Sequence, residues 1–188
     1  MAPSDSSVNL KSQVENLRRE NIRGEVYIPL LRLHEVLTPE SVHAELKTAN
    51  DDSLRVRLDE ITTKVLEGAK VIFAILVVIK KVESVMHLIE RNQLHDRLLP
   101  FERWDKELGW DLSTFYPFYE AQWEFLAPQF AHGTIVKRFG SKIVLPFQKN
   151  EMIDRGGFGT VYEISLDPDH QNLEMISQER VRWVCHRI

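Results

Sequence analysis

The run "VIFAILVVI", Val71–Ile79, lies between Lys70 and the pair Lys80-Lys81, and no other stretch restricts the fold as strongly. Its nine residues are less than half of the roughly twenty that cross a bilayer. Extending it over Lys80, Lys81 and Glu83 would carry charges into lipid at about 3 kcal/mol each. Downstream, Ile75, Val78, Ile79, Val82, Val85, Met86 and Ile89 keep the i, i+3, i+4, i+7 spacing of one helical face. Within the run every face is apolar. Such a helix needs neighbours on all sides, so it predicts the centre of a helical bundle, inside a helical segment Leu54–Arg91 that Gly68 divides.

The whole chain can supply those neighbours. Its 188 residues are long enough to bury a core without staples, and 43% hydrophobic with 28% charged residues is too apolar for a disordered chain. The net charge of −4 offers no basic face for nucleic acid. The single cysteine, Cys185, rules out an internal disulfide and any zinc site built on several thiolates. The opening "MAPSDSSVNLKSQ" has no apolar core and reads as a disordered start rather than a secretory signal. With neither a signal nor a membrane span, the cytoplasm is the default expectation.

Helix signals recur up to about residue 130. Val8, Leu10, Val14 and Leu17 predict a helix that Gly24 interrupts, and Pro29 opens a second over "LLRLHEVL". Thr38-Pro39-Glu40 combines a capping hydroxyl, a first-turn proline and a carboxylate at the positive helix end. Asn50-Asp51-Asp52-Ser53 is a further cap cluster. In "DLSTFYPFYEAQWEFLAPQF", Ser113 or Thr114 caps a helix running to about Leu126, and Pro128 ends it. Its aromatic residues resemble a stacking platform for single strands, but Asp111, Glu120 and Glu124 argue for a core-forming helix instead.

After Gly133 the texture changes. "NEMIDRGGFGTVYEISLD" alternates apolar and polar residues around glycines, the signature of a β-hairpin, and "RVRWVCHRI" alternates as a third strand. Cys185 falls on the apolar side of that strand, as an inert buried thiol. The expected organisation is a disordered start over 1–7, a helical domain over 8–132, a linker over 133–146 and a strand region over 147–188.

Strand, glycine turn and strand is also the context of the kinase loop G-x-G-x-x-G-x-V. There the glycines let backbone amides approach phosphates without Cβ interference. At "MIDRGGFGTVYE" the chain resembles the start of a protein kinase domain. With "GAKVIFAILVVI", "FYEAQWEFLAPQF", "LPF" and "DPDHQ" in that order, it is similar to fungal serine/threonine-type protein kinases that carry a helical N-terminal region. The resemblance implies a mainly α fold: a helical bundle followed by a hairpin or three-strand piece of a kinase N-lobe. It implies ATP, with Mg2+ in the parent family, as cofactor. Ile153 and Val161 would lie above and below the base, Gly156, Gly157 and Gly159 would serve the phosphates, and Phe158 would stand at the loop tip.

The pattern departs from the family at three places. Asp154 stands where the first glycine belongs, and a carboxylate ~4 Å from a phosphate charge costs about 4 kcal/mol at an effective dielectric of ~20. Arg155 beside it offsets part of that. His186 falls at the phosphate-pairing lysine, and no lysine follows Lys149. A histidine, mostly neutral near neutrality, is no substitute for a long permanent cation. H-R-D and D-F-G do not occur, so base and metal ligands for phosphoryl transfer are missing from this sequence. The implied reading is the truncated N-terminal part of a kinase-like protein, whose parent activity is phosphoryl transfer to Ser or Thr and which is inactive by itself. The alternative is a non-enzymatic interaction or regulatory module, joining a protein partner or a second copy through its helices, with a vestigial hairpin.

None of the seven histidines falls in a metal-ligand pattern, and "HEVLT" lacks the second histidine of H-E-x-x-H. His95-Asp96 has the composition of a base with an orienting acid, but no nucleophile accompanies it.

Overall fold

A computed structural model describes residues 9–49, 51–131, 139–156, 159–172 and 181–185, with backbone alone at 156, 159 and 181–185. The chain is mainly helical, with small strand pieces. α1 (Leu10–Glu15) is capped by Asn9, whose Oδ1 accepts from Ser12 N at 2.8 Å. The helix expected to continue toward Gly24 stops there. Instead β1 (Arg19–Glu20) and β2 (Val26–Tyr27) form an antiparallel ribbon. The reason is local. Asn21 Oδ1 accepts from Arg23 N and Glu25 N, and Gly24 takes a φ of 73°, so the side chain and the glycine make a turn where a helix would run.

α2 (Leu30–Val36) starts after Pro29, which sits at the cap rather than in the first turn. α3 (Pro39–Thr48) begins with a reciprocal box in which Ser41 N donates to Thr38 Oγ1 and Thr38 N to Ser41 Oγ. α4 (Asp52–Val56) is capped by Asp51. α5 (Leu58–Gly68) ends at the glycine expected to divide it from α6 (Lys70–Val78). All of Val71–Val78 is buried, so α6 is the central helix.

Two expectations fail nearby. The periodic face does not run through to Ile89 as one helix. Lys80 adopts a φ of 58°, and the chain re-enters as a short turn and then α7 (Val85–Glu90). α8 (Leu112–Phe125) is capped by Asp111, which accepts from Thr114 N at 2.9 Å, rather than by Ser113 or Thr114. The loop before α8 is fastened by polar groups inside the core. Gln122 both accepts from Phe101 N and donates to Phe101 O, and Trp110 Nε1 donates to Ser84 O.

β3 (Phe130–Ala131) pairs in parallel with β6 (Gln171–Asn172). Between them in sequence, β4 (Phe147–Gly156) and β5 (Gly159–Leu166) form the expected hairpin, and β7 (Val181–Cys185) pairs antiparallel with β5, giving the order β4-β5-β7. Among the described residues, the buried apolar side chains at this sheet lie at its foot: Phe130, Ile164 and Leu166, with Phe139, Phe147 and Tyr162 against them.

Candidate functional site

The ladder between β4 and β5 decides what the glycine hairpin presents. Met152 pairs with Tyr162 and Asp154 with Val161, so Ile153 is an extra residue in a bulge. Ile153 and Asp154 therefore stand together opposite Val161. Of the residues matched to a nucleotide site, Ile153 and Val161 are thus neighbours across the ladder, and Gly156 pairs with Gly159 to close it. Gly157 and Phe158 lie outside the described residues, as does His186. Ile153 is 46% exposed and Val161 half-buried, which leaves an apolar surface open beside the turn.

The bulge also settles where Asp154 goes. It is exposed, and its Oδ1 accepts from the adjoining Arg155 N at 2.7 Å. The carboxylate is folded onto its own backbone, in water, where its repulsion of a phosphate is far below the low-dielectric limit. Lys149 Nζ is 2.9 Å from Glu151 on the same strand, so that nearby cation already has an acidic partner.

At the other end of β5 lies a group that sequence reasoning missed. Asp167, 1% exposed, follows the last strand residue directly. Its Oδ1 and Oδ2 both accept from Arg19 Nη1 at 2.7 Å, Oδ2 also accepts from Tyr27 Oη at 2.6 Å, and Oδ1 from Asp169 N at 2.9 Å. Arg19 Nη2 reaches Asp169 at 2.7 Å, and Arg32 Nε reaches the same oxygen at 3.1 Å. Gln148 donates to Tyr27 Oη at 2.7 Å. Burial pushes the Asp167 carboxyl up, but the hydroxyl, the guanidinium and the Asp169 N–H outweigh it and hold it below the ordinary range. Burial and the carboxylate together raise Tyr27. His170, fully buried, is kept neutral chiefly by desolvation, and its Nδ1 donates to Pro128 O at 3.2 Å.

The ribbon grips the start of β4 too. Ile22 N donates to Phe147 O at 2.8 Å and Asn21 Nδ2 to Leu145 O at 3.0 Å. "DPDHQ" carried one usable signal, an aspartate before proline at the end of a strand, which predicts a capped turn. Its partners on residues 19–32 leave no local trace.

His95-Asp96 is not a base and its orienting acid. Asp96 accepts from Val71 N and Ile72 N at 3.0 and 2.9 Å, capping the central helix from a distance. Among the described residues, no group of three or more His, Cys, Asp or Glu could hold a metal ion. No described helix is long and apolar enough to cross a membrane. Compared with known proteins, the chain matches no family model, no curated protein and no solved structure.

Proposed function

We propose that this chain is the helical region and the first N-lobe strands of a protein-kinase-like protein, with its glycine hairpin serving as a nucleotide-binding element. One observation carries the reading: three antiparallel strands in the order β4-β5-β7 whose first turn is glycine-closed, with Ile153 opposite Val161 beside it. In that reading the two apolar side chains sandwich the base of ATP. The amides around Gly156 and Gly159 approach its phosphates, where any side chain would stand in the way. Transfer of the phosphoryl group to Ser or Thr of a protein belongs to the parent family. The base and metal ligands it needs are not among these residues, so binding is the function proposed for them.

The test is titration of the chain with a fluorescent Mg-ATP analogue. Micromolar binding is expected, weakened at least roughly tenfold by Gly159→Val, since a β-branched side chain would occupy the phosphate approach. Asp154→Gly is expected to tighten binding roughly fivefold, matching the ~1 kcal/mol between unit charges ~4 Å apart in water. Absence of binding in both wild type and Asp154→Gly would overturn the reading. It would favour a non-enzymatic module instead, for which the carboxylate at the first-glycine position already speaks.

A further inference from the structure

We propose that Asp167 is a positioning residue through which the helical region sets the glycine hairpin. It is the fixed end of a lever. β5 runs its eight residues from Gly159 to Leu166 without a break in its ladder to β4 beyond the two bulges, and Asp167 follows at once. At ~3.3 Å per residue the turn lies roughly 25 Å from that anchor. Near the turn, Met152 and Ile153 are largely exposed. At the anchor, one buried carboxylate takes Arg19 from β1, Tyr27 from β2 and the backbone of Asp169. The foot of β4 is tied to the same ribbon through Ile22 N and Phe147 O. Both strands of the hairpin are therefore held by residues 19–27, a part of the chain that the sequence pattern places among the helices.

The chemistry suits a rigid fastening. The Asp167 acceptors meet donors on three sides, and Gln148 satisfies the tyrosine oxygen in turn. Hydrogen bonds that involve an ionised group are the strong ones, and a buried member that loses one keeps an unpaired charge or dipole. A change that loosens the anchor should thus be felt along β4 and β5 before the helical core. Coupling of this kind is reciprocal, so a ligand on the hairpin would tighten the ribbon as well. The effect on nucleotide binding rests on the proposed function; the fastening itself does not.

Hydrogen exchange of the full chain tests both parts. Asp167→Asn keeps an acceptor for Tyr27 but removes the charge that meets Arg19. It is expected to speed exchange of the amides of 150–155 and 160–164 roughly tenfold, with α5 and α6 little changed. Tyr27→Phe, which removes only a hydroxyl, should shift the same amides in the same direction by less. Val65→Ala, in the helical core, serves as a control that lowers global stability without touching the anchor. Equal acceleration in helices and hairpin for Asp167→Asn, as in that control, would overturn the proposal. So would unchanged exchange in the hairpin. If the wild-type chain binds the Mg-ATP analogue, Asp167→Asn should bind it roughly tenfold more weakly. Unchanged affinity there also overturns positioning. If the wild type binds no nucleotide, the nucleotide reading falls while the exchange data still decide the anchor.

Discussion

α6 and β4 are nearly the same length, nine residues and ten, yet they are held in unlike ways. Every residue of Val71–Val78 is buried, and the first amides of that helix have Asp96 as acceptor. β4 has Met152 at 60% exposure and Ile153 at 46%, and its packed residues are confined to the foot. α6 is kept in place by removal of apolar surface from water on all its faces, at about 25 cal/mol per Å². β4 is kept in place by a ladder on one edge and by polar bonds at one end. The difference shows what the ribbon contributes. A small sheet needs a hydrophobic face or a packed neighbour to be stable, and the anchorage to the helical region adds to what the described side chains supply.

The sharpest way to break this contrast is to damage the helix. Phe73→Ala removes a fully buried ring from α6 and is expected to cost about 3–5 kcal/mol. If the sheet depends on the helical region, thermal melting followed by far-ultraviolet circular dichroism and by exchange in β5 should show both regions lost in one transition. A hairpin that keeps its protection after the helices melt would show that the sheet stands by itself and does not depend on the helical region.

The same contrast explains which parts of the fold were legible in the sequence. The run at 71–79, the cap at Thr38-Pro39-Glu40 and the alternation around the glycines are signals in which neighbours along the chain state the answer. Each corresponds to an element of the structure. The errors at residues 16–24 and at Lys80 arose where a local turn outweighed periodicity. Asn21 and Gly24 carry turn chemistry that a count of apolar spacings ignores. The anchor was illegible for another reason: Arg19 and Asp167 are 148 residues apart, and nothing in either neighbourhood names the other. For the candidate site, Ile153 and Val161 were named through the resemblance alone, and nothing in the strand alternation announced the bulge that sets both Ile153 and Asp154 opposite Val161.

A smaller effect comes from acid, because the buried carboxylates of the two regions are shifted in opposite directions. Asp167 lies below the ordinary aspartate value of 3.8, so it stabilises the folded chain at neutral pH. That contribution is lost as the pH falls through its folded value. Asp96 is raised, mainly by burial against the pull of the Ile72 and Val71 amides, so its charged form opposes folding and acid relieves that cost. His170 and His34 are both lowered by burial, and both begin to destabilise as the pH drops below the ordinary histidine value of 6.5. They do not separate the regions; the carboxylates do. Exchange followed as the pH falls below the ordinary aspartate value of 3.8, corrected for the intrinsic rate, should show β5 losing protection ahead of α6. Parallel loss, or loss in α6 first, would contradict the assignment of Asp167 as the holding group.

The smallest expected effect tests the open face of the sheet. Met152 lies opposite Tyr162 and is the most exposed apolar residue of β4. Met152→Thr replaces a flexible side chain with a β-branched one that suits a strand, and exposed substitutions of this kind stay within about 0.5 kcal/mol. Denaturant unfolding of the two proteins should therefore give nearly the same midpoint. A loss of about 2 kcal/mol would mean that Met152 is covered in solution, since only a buried side chain gives up that much transfer energy. Concentration dependence of such a loss would identify the cover as a second copy of the chain. An unchanged midpoint would leave Met152 exposed in solution, as it is in the structure.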